Sequence, residues 1–165
     1  MKNNQLMIYG AYGYAGELMV REAVAQGLRP IIAGRDDEKL KPIATELSLE
    51  CRAFGVRNTG SNLQDISVLL NCAGPFSATA EPLARACLAQ QIHYLDITGE
   101  IDIFRKCHAL DEEARQQNVL ILPGAGTDIV PTDCLAAMLK EKLPVAASIW
   151  LSRSAPIRVS ARSTP

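Results

Sequence analysis

Apolar and polar positions fall into alternating blocks along this chain. Leu6-Met7-Ile8-Tyr9 is a short apolar run ending at Gly10, and it predicts a first strand. Over residues 15–26 the apolar Leu18, Met19, Ala23 and Val24 recur near the helical period, and Gly27 ends the helix. Residues 30–34 read as a second strand. Asp36 or Asp37 then caps a helix running to Leu47, with Leu40, Ile43, Ala44 and Leu47 on one face. A weaker third strand covers 51–56, and 57–62 is turn-like. Residues 68–72 form the clearest buried strand, stopped by Gly74-Pro75. A helix over 79–91, a strand over 93–96 and a charged amphipathic helix over 101–117 follow. A sixth strand over 119–122 closes at Pro123-Gly124, and a last helix spans 131–142 with Pro131 near its start.

Six strands separated by helices or short loops predict an α/β fold: a Rossmann-like, doubly wound parallel sheet with helices on both faces. Right-handed crossovers then place a ligand crevice at the carboxyl ends of the strands. The 165 residues suffice for one domain and are too few for two ordinary ones. With 48% hydrophobic and 21% charged residues, the composition is that of a globular domain rather than a disordered chain. A formal net charge of −1 favours neither nucleic acid nor an anionic membrane. No apolar run approaches the roughly 18 residues that span a bilayer, and the N-terminal stretch lacks a signal-peptide core, so a cytoplasmic setting is expected. Five cysteines without a C-x-x-C pair, and only two histidines, argue against a disulfide framework and against a metal site. Cys72 and Cys87 fall in apolar patterns and read as small core residues. The last fifteen residues break the alternation, with four serines, three arginines, two prolines and no acid. The expected organisation is a dinucleotide-binding domain over 1–145, with 146–165 as an aberrant tail or the start of a missing second domain.

The first candidate site follows the first strand. Gly10-Ala11-Tyr12-Gly13-Tyr14-Ala15-Gly16 leaves that strand and opens a helix. A diphosphate needs several backbone N–H groups aimed at it and the positive end of a helix dipole. Gly10 permits the tight turn, Gly13 lets backbone approach phosphate, and Gly16 lets the helix lie close to the strand. Glycine spacing alone would also suit a tightly packed turn, but the context of first strand and first helix points to a dinucleotide. In NAD-binding domains an acid commonly ends the second strand and holds the ribose hydroxyls. Here Ala33-Gly34-Arg35-Asp36 stands there. Arg35 suits a 2′-phosphate because a guanidinium forks onto phosphate oxygens. Asp36 competes for the NAD role, although capping the next helix suits it better. NADP(H) is therefore expected, in preference to NAD(H).

The remaining strand ends add further candidates. Cys72, Ala73, Gly74 and Pro75 leave the fourth strand, where small residues let a cofactor lie against backbone. Asp96, Thr98 and Glu100 follow the fifth strand as substrate-side candidates; the two carboxylates would bind an amine or hydroxyl or move a proton. The competing reading has Thr98 or Gly99 cap the next helix, with Glu100 in its first turn. His93 reads as structural, and residues 124–128 border the nicotinamide end. No catalytic residue is assigned.

Taken together, these motifs resemble the saccharopine dehydrogenase-like family, which includes saccharopine reductases and trans-acting enoyl reductase-like proteins. The segments carrying the resemblance are the phosphate loop, Ala33-Gly34-Arg35, Asn71-Cys72-Ala73-Gly74-Pro75-Phe76, His93-Tyr94-Leu95-Asp96-Ile97-Thr98-Gly99-Glu100 and the stretch from Pro123 to Asp133. They match in order and spacing from about residue 5 to 143, while Thr127 stands where relatives often carry an aromatic residue. The resemblance implies an NADP-binding Rossmann domain followed by a second α+β domain that covers the nicotinamide and binds substrate. This chain looks truncated before that second domain. Three functions are open: an NADP(H)-dependent oxidoreductase domain transferring hydride, a non-catalytic NADP(H)-binding fragment or sensor, and a remnant that folds but binds poorly. The expected partner is a nicotinamide dinucleotide, with neither nucleic acid nor membrane. Apolar surface left open near Trp150 and the last helix favours self-association. Homo-oligomers or aggregates are expected at high concentration by light scattering, and a clean monomer there would contradict this.

Overall fold

The computed structural model describes residues 5–126 and 128–142. Contacts divide these into a unit ending at Gly126 and a unit beginning at Asp128. Thr127, the expected boundary at 145/146, Trp150 and the basic tail lie outside the described residues. The first unit contains β1 (Leu6–Tyr9), α1 (Tyr14–Ala25), β2 (Ile31–Gly34), α2 (Asp37–Leu47) and β3 (Cys51–Ala53). A 3-10 turn at Gly60–Leu63 leads to β4 (Val68–Asn71), α3 (Phe76–Ala89) and β5 (His93–Asp96). Then come α4 (Ile101–His108), α5 (Asp111–Gln116) and β6 (Ile121–Leu122); the second unit carries α6 (Val130–Lys142).

All strand pairs are parallel, in the order β3-β2-β1-β4-β5-β6. The chain therefore runs outward from β1 to one edge, returns, and runs outward to the other. This reversal between β1 and β4 opens a crevice where loops diverge to opposite faces. Register places Ala33, Tyr9, Asn71 and Asp96 in one row across the sheet, so the loops after β2, β1, β4 and β5 start at one level.

Alternation along each strand divides the core in two. Met7 and Tyr9 face one layer with Leu69, Tyr94, Leu83 and Cys87 of α3, and Ile103 and Cys107 of α4. Ile8 faces the other with Ile32, Val20 of α1, and Leu40 and Ile43 of α2. Both layers are closed, which is why β1 and β2 read as continuous apolar runs. Among the described residues no helix is long and apolar enough to cross a membrane.

The structure revises several element boundaries. The helix expected over 79–91 begins at Phe76, with Pro75 as its N-cap. Thr79 does not cap it; its hydroxyl donates to the Ala73 carbonyl at 2.6 Å and braces the loop before the helix. The helix expected over 101–117 is two, because Leu110 turns into the core at 4% exposure and Asp111, Glu112 and Glu113 start a new first turn. Strand 3 shortens to three residues and strand 6 to two. In α6 no residue is buried, and Leu135, Met138 and Leu139 are exposed.

Leu83 is fully buried between α3 and the sheet, so Leu83→Ala is expected to cost about 2–5 kcal/mol by urea denaturation. Leu18→Ala, at a side chain 53% exposed, is expected to stay within about 0.5 kcal/mol. Equal losses at the two sites would contradict the assignment of the core.

Candidate functional site at the strand ends

The turn after β1 is pinched from three sides. Gly10 has φ +85, and a Cβ there would lie 2.7 Å from the Ala73 amide nitrogen in the loop after β4. Its N–H, and that of Ala11, donate to the Ala33 carbonyl of β2 at 2.7 and 3.1 Å. A Cβ on Gly16 would collide with the Gly10 carbonyl, so α1 lies directly against the strand exit. Gly13 is the N-cap of α1 and its amide donates back to the Gly10 carbonyl at 3.0 Å. The first amide of α1 with an acceptor is that of Glu17, which donates to the Gly13 carbonyl at 2.8 Å. The amides of Tyr14, Ala15 and Gly16 precede it at the positive end of the helix, without a helical partner. Gly13 thus contributes space rather than a donor, and the open donors are the three that follow it. A cradle that a Cβ would fill, roofed by unpaired amides, fits a diphosphate.

At the exit of β2, Gly34 makes room for Tyr12: a Cβ there would sit 2.5 Å from Tyr12 Cε1. Arg35 is exposed, and its charge is felt at the buried Tyr9 hydroxyl, where it opposes the rise to about 12 caused by burial and by Tyr12. Asp36 is the N-cap of α2, accepting the Lys39 amide at 3.4 Å. Its other oxygen faces the Lys39 ammonium at 3.5 Å. The acid at the position of the NAD role is therefore engaged by its own helix.

Beyond β4 a buried polar network takes over. Asn71 is fully buried; its Oδ1 accepts from the Ala73 amide at 3.0 Å, and its Nδ2 donates to Thr79 Oγ1 at 3.2 Å and to the Tyr94 hydroxyl at 3.1 Å. Tyr94 donates to Asp96 Oδ2 at 2.8 Å. Asp96 Oδ1 accepts from the amides of Thr98 at 3.0 Å and Gly124 at 2.9 Å, and its carbonyl accepts from Ala125 at 2.7 Å. Burial and the Asp96 charge push the Tyr94 hydroxyl far above its usual range.

Measured against the candidates, the structure brings Gly10, Gly16 and Ala73 into contact and gathers Tyr12 and Arg35 at the neighbouring strand exit. Gly74 and Pro75 are exposed on the loop after β4, while Cys72 is buried and its thiol is pushed up to about 12 by burial and then by Asp96. Asp96 and Thr98 are both fully buried, with Asp96 holding three protein donors and Thr98 Oγ1 accepting from the Glu100 amide at 3.1 Å. The N-cap of α4 is Glu100, not Thr98 or Gly99, and its side chain is exposed. Asn71 and Tyr94 were absent from the candidates as network members. The available signal was Asn71 closing the apolar run of β4 and a tyrosine inside β5.

Burial also raises Cys87 and Cys107 to about 12. At pH 8 iodoacetamide is expected to label the exposed Cys134 and to spare Cys72, Cys87 and Cys107 until unfolding, as read by mass spectrometry. An unfolded chain loses these protons near the usual 9 while the fold holds them to about 12, so stability should fall as pH rises across that window. Native labelling of Cys72 as fast as Cys134 would show that the β4 exit is open.

The model of the saccharopine dehydrogenase NADP-binding domain matches residues 6–122. The saccharopine dehydrogenase-like oxidoreductase of Rattus norvegicus is 27% identical over 152 residues, covering 78% of this chain and 35% of that protein. The Homo sapiens protein of the same name is 24% identical over 164 residues, covering 84% of this chain and 38% of its own length. The chain thus spans little more than a third of these relatives. Apo saccharopine dehydrogenase (L-Glu forming) from Saccharomyces cerevisiae superimposes with a TM-score of 0.70 over 84% of this chain and 31% of that one; at 12% identity this likeness shows the fold. With the match running from β1 to β6, the chain belongs to the family of saccharopine dehydrogenase NADP-binding domains, and the nucleotide of such a domain is NADP(H).

Proposed function

We propose that this chain holds NADP(H) across the carboxyl ends of β1, β2 and β4 and serves as the cofactor-bearing part of a hydride-transferring oxidoreductase. The carrying observation is the pinch at Gly10, Gly16 and Ala73, which leaves the amides of Tyr14, Ala15 and Gly16 to meet a diphosphate. Arg35 takes the adenosine 2′-phosphate, and the Ala73-Gly74-Pro75 loop lies along the ribose and nicotinamide half. When bound, the nicotinamide supplies the hydride at its C4; the protein positions it and excludes water. Substrate groups come from outside the described residues.

A second reading, a binding module without turnover, is favoured by one observation: Asp96 and Thr98, two of the three polar side chains expected to meet substrate, are enclosed by protein. Fluorescence titration with NADPH and NADH, followed by NADPH oxidation assays with imines and enones, separates the two. Turnover supports the oxidoreductase, binding without turnover supports the module, and no binding overturns both.

Arg35→Ala is expected to weaken NADPH binding at least about tenfold, the scale of one charge-assisted contact, with little effect on NADH. Equal losses for both nucleotides would refute the role of Arg35.

A further inference from the structure

Three side chains, one from the phosphate loop and two from α2 and its cap, lie near the exit of β2. The Tyr12 ring, from the phosphate loop, lies over Gly34. Lys39, from the first turn of α2, places its Nζ 5.6 Å from the centroid of that ring. Asp36, the helix cap, faces the same ammonium at 3.5 Å. Arg35 stands next to this group in the chain.

We propose that Lys39 is a second ligand of the adenosine 2′-phosphate and, with Arg35, sets the preference for NADP(H) over NAD(H). This rests on the cofactor reading above. Charge placement carries it. A cation in the first turn of a helix opposes the macrodipole at a cost of about 0.3–1 kcal/mol, so a lysine there is disfavoured without an anion to meet. The acids beside it are used elsewhere: Asp37 and Glu38 both pair with Lys41 at 2.8 Å. Only Asp36 is left for Lys39, at a longer distance, and the lysine side chain remains 65% exposed. Arg21, Arg52, Arg85, Arg105 and Arg115 are engaged by carboxylates at 2.7–3.1 Å, whereas Arg35, like Arg29 and Arg57, forms no ion pair among the described residues. Two cations with spare capacity therefore flank the spot where the second strand ends, which is where the adenosine ribose lies in a Rossmann domain.

Lys39 acts on Asp36 as well. A bare carboxylate at this position would repel a phosphate dianion and attract the ribose hydroxyls of NAD. The ammonium offsets that charge, and the Lys39 amide occupies the other oxygen. The Tyr12 ring limits where the ammonium can swing and attracts it through its negative face.

The test uses the whole chain and four probes, 2′,5′-ADP, 5′-AMP, NADPH and NADH, by isothermal calorimetry. The first two carry the adenosine end without nicotinamide. Lys39→Met is expected to weaken 2′,5′-ADP and NADPH about tenfold, to leave 5′-AMP and NADH no weaker, and to make NADPH binding less salt-dependent. Lys39→Arg, which keeps the charge, is expected to retain most of the preference. An unchanged NADPH-to-NADH ratio in Lys39→Met, or equal losses for all four probes, would overturn the role of Lys39 while leaving the cofactor reading intact. Failure of the unaltered chain to bind either NADPH or 2′,5′-ADP would overturn that reading and this role with it.

Discussion

Everything at the crevice depends on how closely three stretches of backbone approach one another where β1 ends. Gly10 sits against the Ala73 amide on one side, and its carbonyl sits against Gly16 on the other. A methyl group at either glycine would push α1 away from the sheet or lift the loop after β4. Both movements would spoil the same thing, the aim of the first-turn amides of α1 at the crevice. The hydrogen bonds from Gly10 and Ala11 to the Ala33 carbonyl carry the constraint across to β2, so the positions of Tyr12 and Arg35 follow from it as well. Binding geometry here is a property of backbone packing, and side chains are added to it afterwards.

On the far side of the crevice the organising force is different. Asp96 is a fully buried carboxylate with no cation in contact among the described residues, a costly arrangement unless donors surround it. Three donors do: a phenol and two amides. Those amides belong to Thr98 and Gly124, in the loops after β5 and β6, and through Tyr94 and Asn71 the same network reaches Ala73. One buried charge therefore holds the loops after β4, β5 and β6 in a single arrangement. Burial is what makes Asp96 effective as a brace.

Much of this was legible from residue patterns, and the exceptions have physical causes. β1 and β5 appear at their expected positions because sharp turn residues bound short apolar runs. The phosphate loop was readable because glycines there are dictated by local sterics. Asp36 was readable as a cap because capping is decided within three residues. The errors arose where distant contacts decide. Thr79 looked like a helix start, yet it is recruited by the Ala73 carbonyl. A single helix over 101–117 satisfied the periodicity, but the core takes Leu110 and breaks it. Asp96 and Glu100 looked like a matched pair of carboxylates. Only the sheet register, which sets Asp96 beside Asn71, shows that one faces inward while the other is exposed.

The two halves of the crevice consequently divide the work. The half at β1 and β2 carries first-turn amides without a helical partner and cations with spare charge, which the proposed reading gives to the diphosphate and to a phosphate on the ribose. These groups gain most from meeting an anion, since a charge-assisted contact is roughly twice as strong as a neutral one. The half at β4, β5 and β6 is built for rigidity, its polar side chains satisfied by one another and shielded from solvent. A satisfied network has nothing left to offer a reacting group, but it can hold a ring in place against backbone. On the proposed reading, affinity and nucleotide choice lie in the strand ends themselves. On the proposed reading, selection of a substrate draws on groups outside this braced surface, because its own polar side chains are already satisfied.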